Sequence, residues 1–198
     1  MNLTIVLAAA LSLIACGGPQ KKAAADPQDA FWGSLSALCG QAFAGRIAAD
    51  VGGGAGPDPF AGKTLVMHVR QCSPREIRVP FHVGEDRSRT WVFTRTADGL
   101  RLKHDHRHQD GAPDDVTLYG GDTADAGTPR RQAFPADQES KDSFVRAKIP
   151  QSLTNVWVIG LAPGVFSYAL TRPGREFRVD FDLARPVAAP PPPWGAGL

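Results

Sequence analysis

Alternation of apolar and polar residues is the feature of this sequence that most limits its possible folds. In the segment 176–183, Phe177, Val179, Phe181 and Leu183 alternate with charged residues. Successive side chains of a β-strand point to opposite faces, so this segment predicts a strand with one buried face. The same two-residue period predicts further strands over residues 65–70, 76–83, 91–96, 100–108, 153–161 and 165–172.

Short connections between these segments favour an antiparallel arrangement of the strands. Residues 85–88 predict a hairpin connection, and residues 97–99 predict a turn. Amphipathic strands linked in this way resemble the barrels of the calycin group. We therefore expect a mainly β fold, either a curled antiparallel sheet or a calycin-like barrel. An open sheet covered by a helix is the alternative.

Two short helices are predicted beside the strands. Asp29 is suited to be the N-cap of the first helix, since its carboxylate can accept from backbone N–H groups. Apolar residues follow it at helical spacing, namely Phe31, Leu35, Leu38 and Phe43. A glycine-rich segment, residues 51–57, then ends any regular structure. The second helix is predicted over residues 137–148, and residues 120–129 between the two are predicted to form a loop.

The composition fits one medium-sized domain and argues against nucleic-acid binding. The chain has 198 residues, of which 42% are hydrophobic and 21% charged. A core can therefore form without a metal or a framework of disulfides. The 22 basic residues nearly balance the 20 acidic ones, which gives a net charge of +2. Domains that hold nucleic acid are clearly basic on one face, so we expect no such partner.

The N-terminal residues indicate export and lipid attachment. Residues 3–14 form an apolar run that is too short to cross a bilayer, which needs about 20 apolar residues. The run is typical of a signal peptide, although no Lys or Arg precedes it. The four residues Leu13, Ile14, Ala15 and Cys16 resemble the lipobox of bacterial lipoproteins. This resemblance implies cleavage before Cys16 and a diacylglycerol thioether on its sulfur. An ordinary cleaved signal peptide and a simple apolar N-terminus are the alternatives.

These features divide the chain into four parts. We expect a lipoprotein signal peptide at 1–15, a flexible tether at 16–28, an antiparallel β domain at 29–186 and a Pro-rich tail at 187–198. The lipoprotein resemblance also implies location. The protein is expected in the cell envelope, held to the membrane by its lipid and facing the periplasm. Gly17 is compatible with sorting to the outer membrane.

Two further cysteines form an even pair once Cys16 is lipidated. Cys39 and Cys72 would lie in an oxidising compartment, where such pairs form disulfides. A bond between them would close a loop of about 34 residues and stabilise the fold by roughly 3–4 kcal/mol. Two buried free thiols are the alternative.

The most unusual stretch of the sequence contains three of its five histidines. If residues 100–108 form a strand, His104, His106 and His108 share a face with Leu100 and Leu102. The opposite face is charged throughout and must meet water. The histidines are therefore predicted to point inward or toward the mouth of a barrel.

These histidines suggest a metal site as one hypothesis. Two histidines two residues apart on a strand can bind one Zn²⁺ or other transition metal. His104 and His108 lie about 13 Å apart along a strand, so another ligand must come from elsewhere. Acidic residues near in sequence are candidates, namely Asp110, Asp114, Asp115 and Asp122. The alternatives are hydrogen-bonded structural histidines, histidines that respond to pH, and a catalytic base.

The same stretch resembles the first motif of the cupin family, which contains glycine, His-x-His and glutamate. Gly99, His104, His106 and Asp110 would take those places. Asp110 replaces the family's glutamate at a different spacing, and no histidine follows His108 as the family's later ligand. No activity is carried over from this resemblance.

The sequence favours binding over catalysis as the function. It contains no phosphate loop, no G-x-S-x-G elbow and no dinucleotide-binding motif. We therefore expect a non-enzymatic, membrane-tethered envelope lipoprotein that binds a small ligand or a protein partner. A metal-binding, catalytic β domain and a structural envelope lipoprotein are the alternatives. Four aromatic residues are candidates for lining a ligand pocket, namely Trp91, Trp157, Phe166 and Tyr168.

Overall fold

The computed structural model describes residues 26–53 and 58–197. The predicted signal peptide, Cys16 and most of the predicted tether lie outside the described residues. Within them the chain forms two α-helices, one short 3-10 helix and eleven β-strands. In chain order they are α1 (Pro27–Ser36), β1 (Ala42–Val51), β2 (Leu65–His68), β3 (Gln71–Cys72), β4 (Glu76–Val83), β5 (Asp86–Arg95), β6 (Leu100–His106), β7 (Tyr119–Asp122), β8 (Arg131–Pro135), α2 (Gln138–Arg146), the 3-10 helix (Pro150–Thr154), β9 (Val156–Ala162), β10 (Val165–Arg172) and β11 (Arg175–Val187).

All strands belong to one antiparallel sheet that curls into a nearly closed barrel. Its strand order is β7-β6-β5-β4-β2-β1-β11-β10-β9-β8, and β3 pairs with β4 beside this path. The two edge strands, β7 and β8, meet through the start of α2. There the Asp137 N–H donates to the Gly120 carbonyl at 2.8 Å, and the Ser140 hydroxyl donates to the same oxygen at 3.0 Å. The prediction of a mainly β, calycin-like barrel is confirmed.

Helix α1 closes one end of this barrel. Its residues Phe31, Trp32 and Leu35 are buried in the same core as the inward side chains of the strands. Gln28 fastens the helix to the connection between β7 and β8, because its amide donates to the Thr123 hydroxyl at 2.9 Å. The opposite end of the barrel carries the β4–β5 and β10–β11 turns and the connection that contains α2.

The start and end of α1 differ from the prediction. Asp26 is the N-cap, since its carboxylate accepts from the N–H groups of Gln28 and Asp29. Proline at the first helical position, Pro27, favours this earlier start. Asp29 therefore lies inside the helix, and two residues of the predicted tether are helical. Phe43 belongs to β1 instead, where it pairs with β2 and β11.

A disulfide links two segments outside the strands' inward faces. Cys39 and Cys72 are bonded, with their Cα atoms 6.3 Å apart, which confirms the predicted pair. The bond links the chain after α1 to β3.

The C-terminal tail packs against the barrel. The backbone N–H of Trp194 donates to the Arg87 carbonyl at 3.1 Å, and the Arg87 side chain donates to the Pro192 carbonyl at 3.3 Å. The Pro-rich tail therefore packs on its own domain.

The described residues include a hydrophobic core to which both helices and most of the strands contribute. Its buried members all lie between Phe31 and Phe181. A form of the chain that begins at Asp26 contains the sequence of every described helix and strand. None of the helices in the described part of the chain is long and apolar enough to span a membrane.

Candidate functional site

A pocket of about 300 Å³ opens at the end of the barrel opposite α1. Its walls come from strands on both sides of the barrel and from the 3-10 helix. Eight of its 18 described lining residues are aromatic, namely Phe60, Phe81, Trp91, Tyr119, Phe144, Trp157, Tyr168 and Phe177. The pocket is therefore suited to an apolar molecule or to part of one.

His104 forms the inner wall of the pocket and uses both ring nitrogens in hydrogen bonds. Its Nδ1 lies 3.0 Å from the carbonyl oxygen of Tyr119, and its Nε2 lies 2.9 Å from the hydroxyl of Tyr168. A carbonyl oxygen can only accept, so Nδ1 carries the proton and donates it. Nε2 is then an acceptor, and the Tyr168 hydroxyl donates to it. These bonds fix one tautomer and one orientation of the imidazole.

His106 stands on the same face of β6, nearer to the mouth of the pocket. Its Nε2 lies 3.0 Å from the hydroxyl of Tyr119. Its backbone N–H donates to the Thr117 hydroxyl at 2.8 Å. Tyr119 therefore links the two histidines, since its carbonyl binds one ring and its hydroxyl binds the other. Sequence analysis predicted the inward direction of both histidines, and the structure confirms it.

Burial keeps both histidines and their tyrosine partners neutral at pH 7. Desolvation lowers the pKa of His104 to about 3 and that of His106 to about 4. The charge of His106 contributes to the lowered pKa of His104, and the charge of Arg89 contributes to that of His106. Burial raises the pKa of both Tyr119 and Tyr168. These groups consequently form a neutral hydrogen-bonded network.

Aromatic rings stack against this network. The rings of Trp91 and Tyr168 are nearly parallel, with centroids 4.4 Å apart and an interplanar angle of 10°. The rings of His104 and Tyr119 are stacked in the same way, with centroids 4.7 Å apart and an angle of 11°. Such packing leaves few rotamers open to these side chains. The aromatic rings that line the pocket therefore have fixed orientations.

Three arginines line the pocket, and two of them have carboxylate partners. Arg89 pairs with Asp86 at 2.5 Å, and Arg175 pairs with Asp50. Arg172 instead donates to the amide oxygen of Asn155 at 3.0 Å. Arg172 lies on the inward face of β10, two positions beyond Leu170.

The structure does not bring His108 into the site. β6 ends at His106, and His108 is exposed beyond that end. Asp122 pairs with Arg101 at 2.6 Å on the outer face of the sheet, so it does not face the histidines. Within residues 26–53 and 58–197, no group of three or more His, Cys, Asp or Glu residues is placed to hold a metal. Both nitrogens of His104 also have protein partners, so the ligand set predicted from the sequence is not assembled here.

The other sequence candidates are only partly in the pocket. Trp91, Trp157 and Tyr168 line it as expected. Phe166 lies instead in the buried core, where its ring packs on Phe181 with centroids 5.9 Å apart. Sequence analysis missed Tyr119 and Arg172. Tyr119 directly precedes the loop predicted at residues 120–129, and Arg172 is one of several arginines at strand ends. Neither residue therefore has a distinctive sequence signal.

Comparison of the chain with family models, curated proteins and solved structures gives no match in any of the three. The geometry of the pocket is therefore the basis for the functional conclusion.

Proposed function

We propose that this protein is a non-enzymatic lipoprotein of the cell envelope that binds a small ligand in the pocket of its barrel. The lipid on Cys16 would hold it to the membrane, with the barrel facing the periplasm. The observation that carries the proposal is the aromatic pocket of about 300 Å³ at the end of the barrel that α1 leaves open.

The walls of the pocket support binding of a ligand that enters a preformed site. The stacked pairs Trp91–Tyr168 and His104–Tyr119 have their orientation set before any ligand arrives. A preformed site avoids the entropic cost of ordering side chains on binding. The flat apolar surfaces then supply the binding free energy by leaving water.

The hydrogen bonds within the pocket favour binding over catalysis. A general base at neutral pH needs a pKa near 7 and a free nitrogen toward its substrate. The pKa of His104 is lowered to about 3, and both of its nitrogens are engaged. The His104–Tyr168 and His106–Tyr119 bonds fit a role in fixing the shape of the pocket.

Titration with N-phenylnaphthylamine tests the proposal. This neutral dye fluoresces more strongly in apolar surroundings, and bound dye would accept energy from Trp91 and Trp157 in the pocket walls. The protein is the form that begins at Asp26. We expect saturable binding of one dye per chain, with quenching of tryptophan emission.

Two tryptophan substitutions distinguish pocket binding from surface binding. Val116 is partly buried at the pocket, so Val116→Trp should fill the site and reduce dye affinity at least tenfold. Val145 is 61% exposed, so Val145→Trp adds the same side chain outside the pocket and should leave affinity unchanged. Absence of saturable binding by the folded parent protein would overturn the proposal and favour a structural envelope lipoprotein.

A further inference from the structure

We propose that the ligand is an anion with a flat apolar body, whose charged group pairs with Arg172. This inference rests on the proposed ligand-binding function and names the chemical class of the ligand.

Of the three arginines that line the pocket, Arg172 is the one best placed to pair with an anionic ligand. Arg89 and Arg175 are each compensated by an aspartate, whereas the described residues give Arg172 only the neutral amide of Asn155. The 18 described lining residues include no Asp or Glu. A partly buried guanidinium without a carboxylate partner gains most from an anionic ligand, because charge-assisted hydrogen bonds are about twice as strong as neutral ones.

Asn155 prepares the guanidinium for this contact. Asn155 is buried, and its amide oxygen accepts one Arg172 N–H at 3.0 Å. The remaining donors of the planar guanidinium group are suited to two oxygens of one carboxylate, sulfonate or phosphate. Burial and the charge of Arg175 both lower the pKa of Arg172, so a bound anion would relieve an unfavourable environment for this cation.

The position of Arg172 on β10 sets the direction of the ligand body. Tyr168, Leu170 and Arg172 share the inward face of the strand and all line the pocket. Tyr168 lies four residues before Arg172, or about 13 Å along the strand. A ligand with its charge at Arg172 would therefore extend past Leu170 toward the Trp91–Tyr168 stack.

The aromatic walls favour a planar ligand body over a flexible chain. The rings of Trp91 and Tyr168 stack on each other, and those of Phe60 and Phe177 stack with centroids 4.7 Å apart at the mouth, so two aromatic pairs border the pocket. Ring systems stack on such surfaces in offset or edge-to-face arrangements. An aromatic or fused-ring carboxylate has both the shape and the charge of this site.

Naphthoate and naphthamide form a matched pair of probes for this inference. They share ring system and size, and they differ in the charge of the group that would face Arg172. Calorimetric titration of each probe compares the parent protein with Arg172→Gln. The control is Arg130→Gln, because Arg130 is exposed in the β7–β8 connection and is not among the described residues that line the pocket.

We expect the parent protein to bind naphthoate about tenfold or more tightly than naphthamide. Arg172→Gln should remove this preference, whereas Arg130→Gln should retain it. If Arg172→Gln fails to fold, Arg172→Lys keeps the positive charge and should keep part of the preference. Equal affinity of the parent protein for both probes, or no binding of naphthoate, would overturn the inference. Saturable N-phenylnaphthylamine binding in the same preparation would then leave the proposed function standing, and its absence would overturn both.

Discussion

His104 and Tyr168 join opposite walls of the barrel by a hydrogen bond of 2.9 Å between Nε2 and the tyrosine hydroxyl. Their strands, β6 and β10, are not neighbours in the sheet. The bond therefore crosses the interior, and it requires a neutral imidazole because Nε2 must accept. Protonation of His104 would place a buried cation among aromatic rings and remove this acceptor.

The first prediction is that the free energy of unfolding decreases as the pH falls below about 6.5. His104 titrates near 6.5 in the unfolded chain and near 3 in the folded protein. Between these values the unfolded chain binds a proton that the folded protein does not, so acid favours unfolding. One such group contributes about 1.4 kcal/mol per pH unit. His106 and His82, whose pKa values are lowered to about 4, act in the same direction.

Urea unfolding of the parent protein between about pH 5 and 6.5 measures this slope while most carboxylates remain ionised. His104→Asn should lower stability at pH 7 but make the slope shallower. His108→Asn serves as the matched control, because His108 is exposed and should leave the slope unchanged. An identical slope in parent and His104→Asn would contradict the burial of a neutral imidazole.

The second prediction concerns the metal hypothesis. Both ring nitrogens of His104 bind Tyr119 and Tyr168, and displacement of either tyrosine would cost a buried hydrogen bond. We therefore expect less than stoichiometric zinc, iron or copper in the protein that begins at Asp26. Elemental analysis beside the variant His104→Ala/His106→Ala checks this. If the parent protein contained stoichiometric metal and the variant did not, the metal hypothesis would again be favoured.

The strands that could be predicted from the sequence are those with a clear period of two. Residues 165–172 were predicted as a strand, and β10 has these same bounds. This prediction succeeds because the alternation of apolar and polar residues within one strand indicates which of its faces is buried. By contrast, apolar residues at helical spacing extend the predicted first helix into the start of β1. Its residues are mostly small and become a strand through pairing with β2 and β11, which a local pattern does not record.

The pocket could be predicted only in part for a similar reason. The inward direction of His104 and His106 followed from strand periodicity alone. Their partners, Tyr119 and Tyr168, lie 15 and 64 residues from His104 along the chain. Only closure of the barrel brings them together, and the sequence contains no spacing motif for such a contact. The role of Arg172 depends likewise on which arginines have acidic partners in three dimensions.

The third prediction tests the proposed lipid anchor at Cys16, a residue outside the described ones. Thioether formation needs the sulfur of Cys16, so Cys16→Ser in the full chain should abolish lipid attachment. Fractionation of bacteria fed a labelled fatty acid measures it. The parent chain should carry label in the membrane fraction, because a diacylglycerol anchor buries enough methylene groups for stable attachment. Cys39→Ser, which removes only the disulfide, should keep the label. Equal labelling of Cys16→Ser and parent would refute lipidation at this residue.

The fourth prediction concerns the seam where β7 meets β8. A Cβ atom at Gly121 would lie 2.0 Å from the Pro135 carbonyl oxygen, so the backbones approach closely only because this residue is glycine. Gly121→Ala should lower the free energy of unfolding by about 1–3 kcal/mol or more, as overpacking does. Gly33→Ala is the matched control. A Cβ at Gly33 would meet nothing within 4 Å. Alanine in the exposed face of α1 should therefore stabilise by up to about 1 kcal/mol.

Thermal melting of the two variants measures the difference, and dye binding shows its effect on the pocket. Tyr119 stands two residues before Gly121 on β7, and its ring stacks on His104. Forcing the seam apart should therefore move one wall of the pocket, so Gly121→Ala should bind N-phenylnaphthylamine more weakly than Gly33→Ala does. If Gly121→Ala melted and bound dye like the parent, β7 would be free to move away from β8. Closure of the barrel would then not be what shapes the pocket.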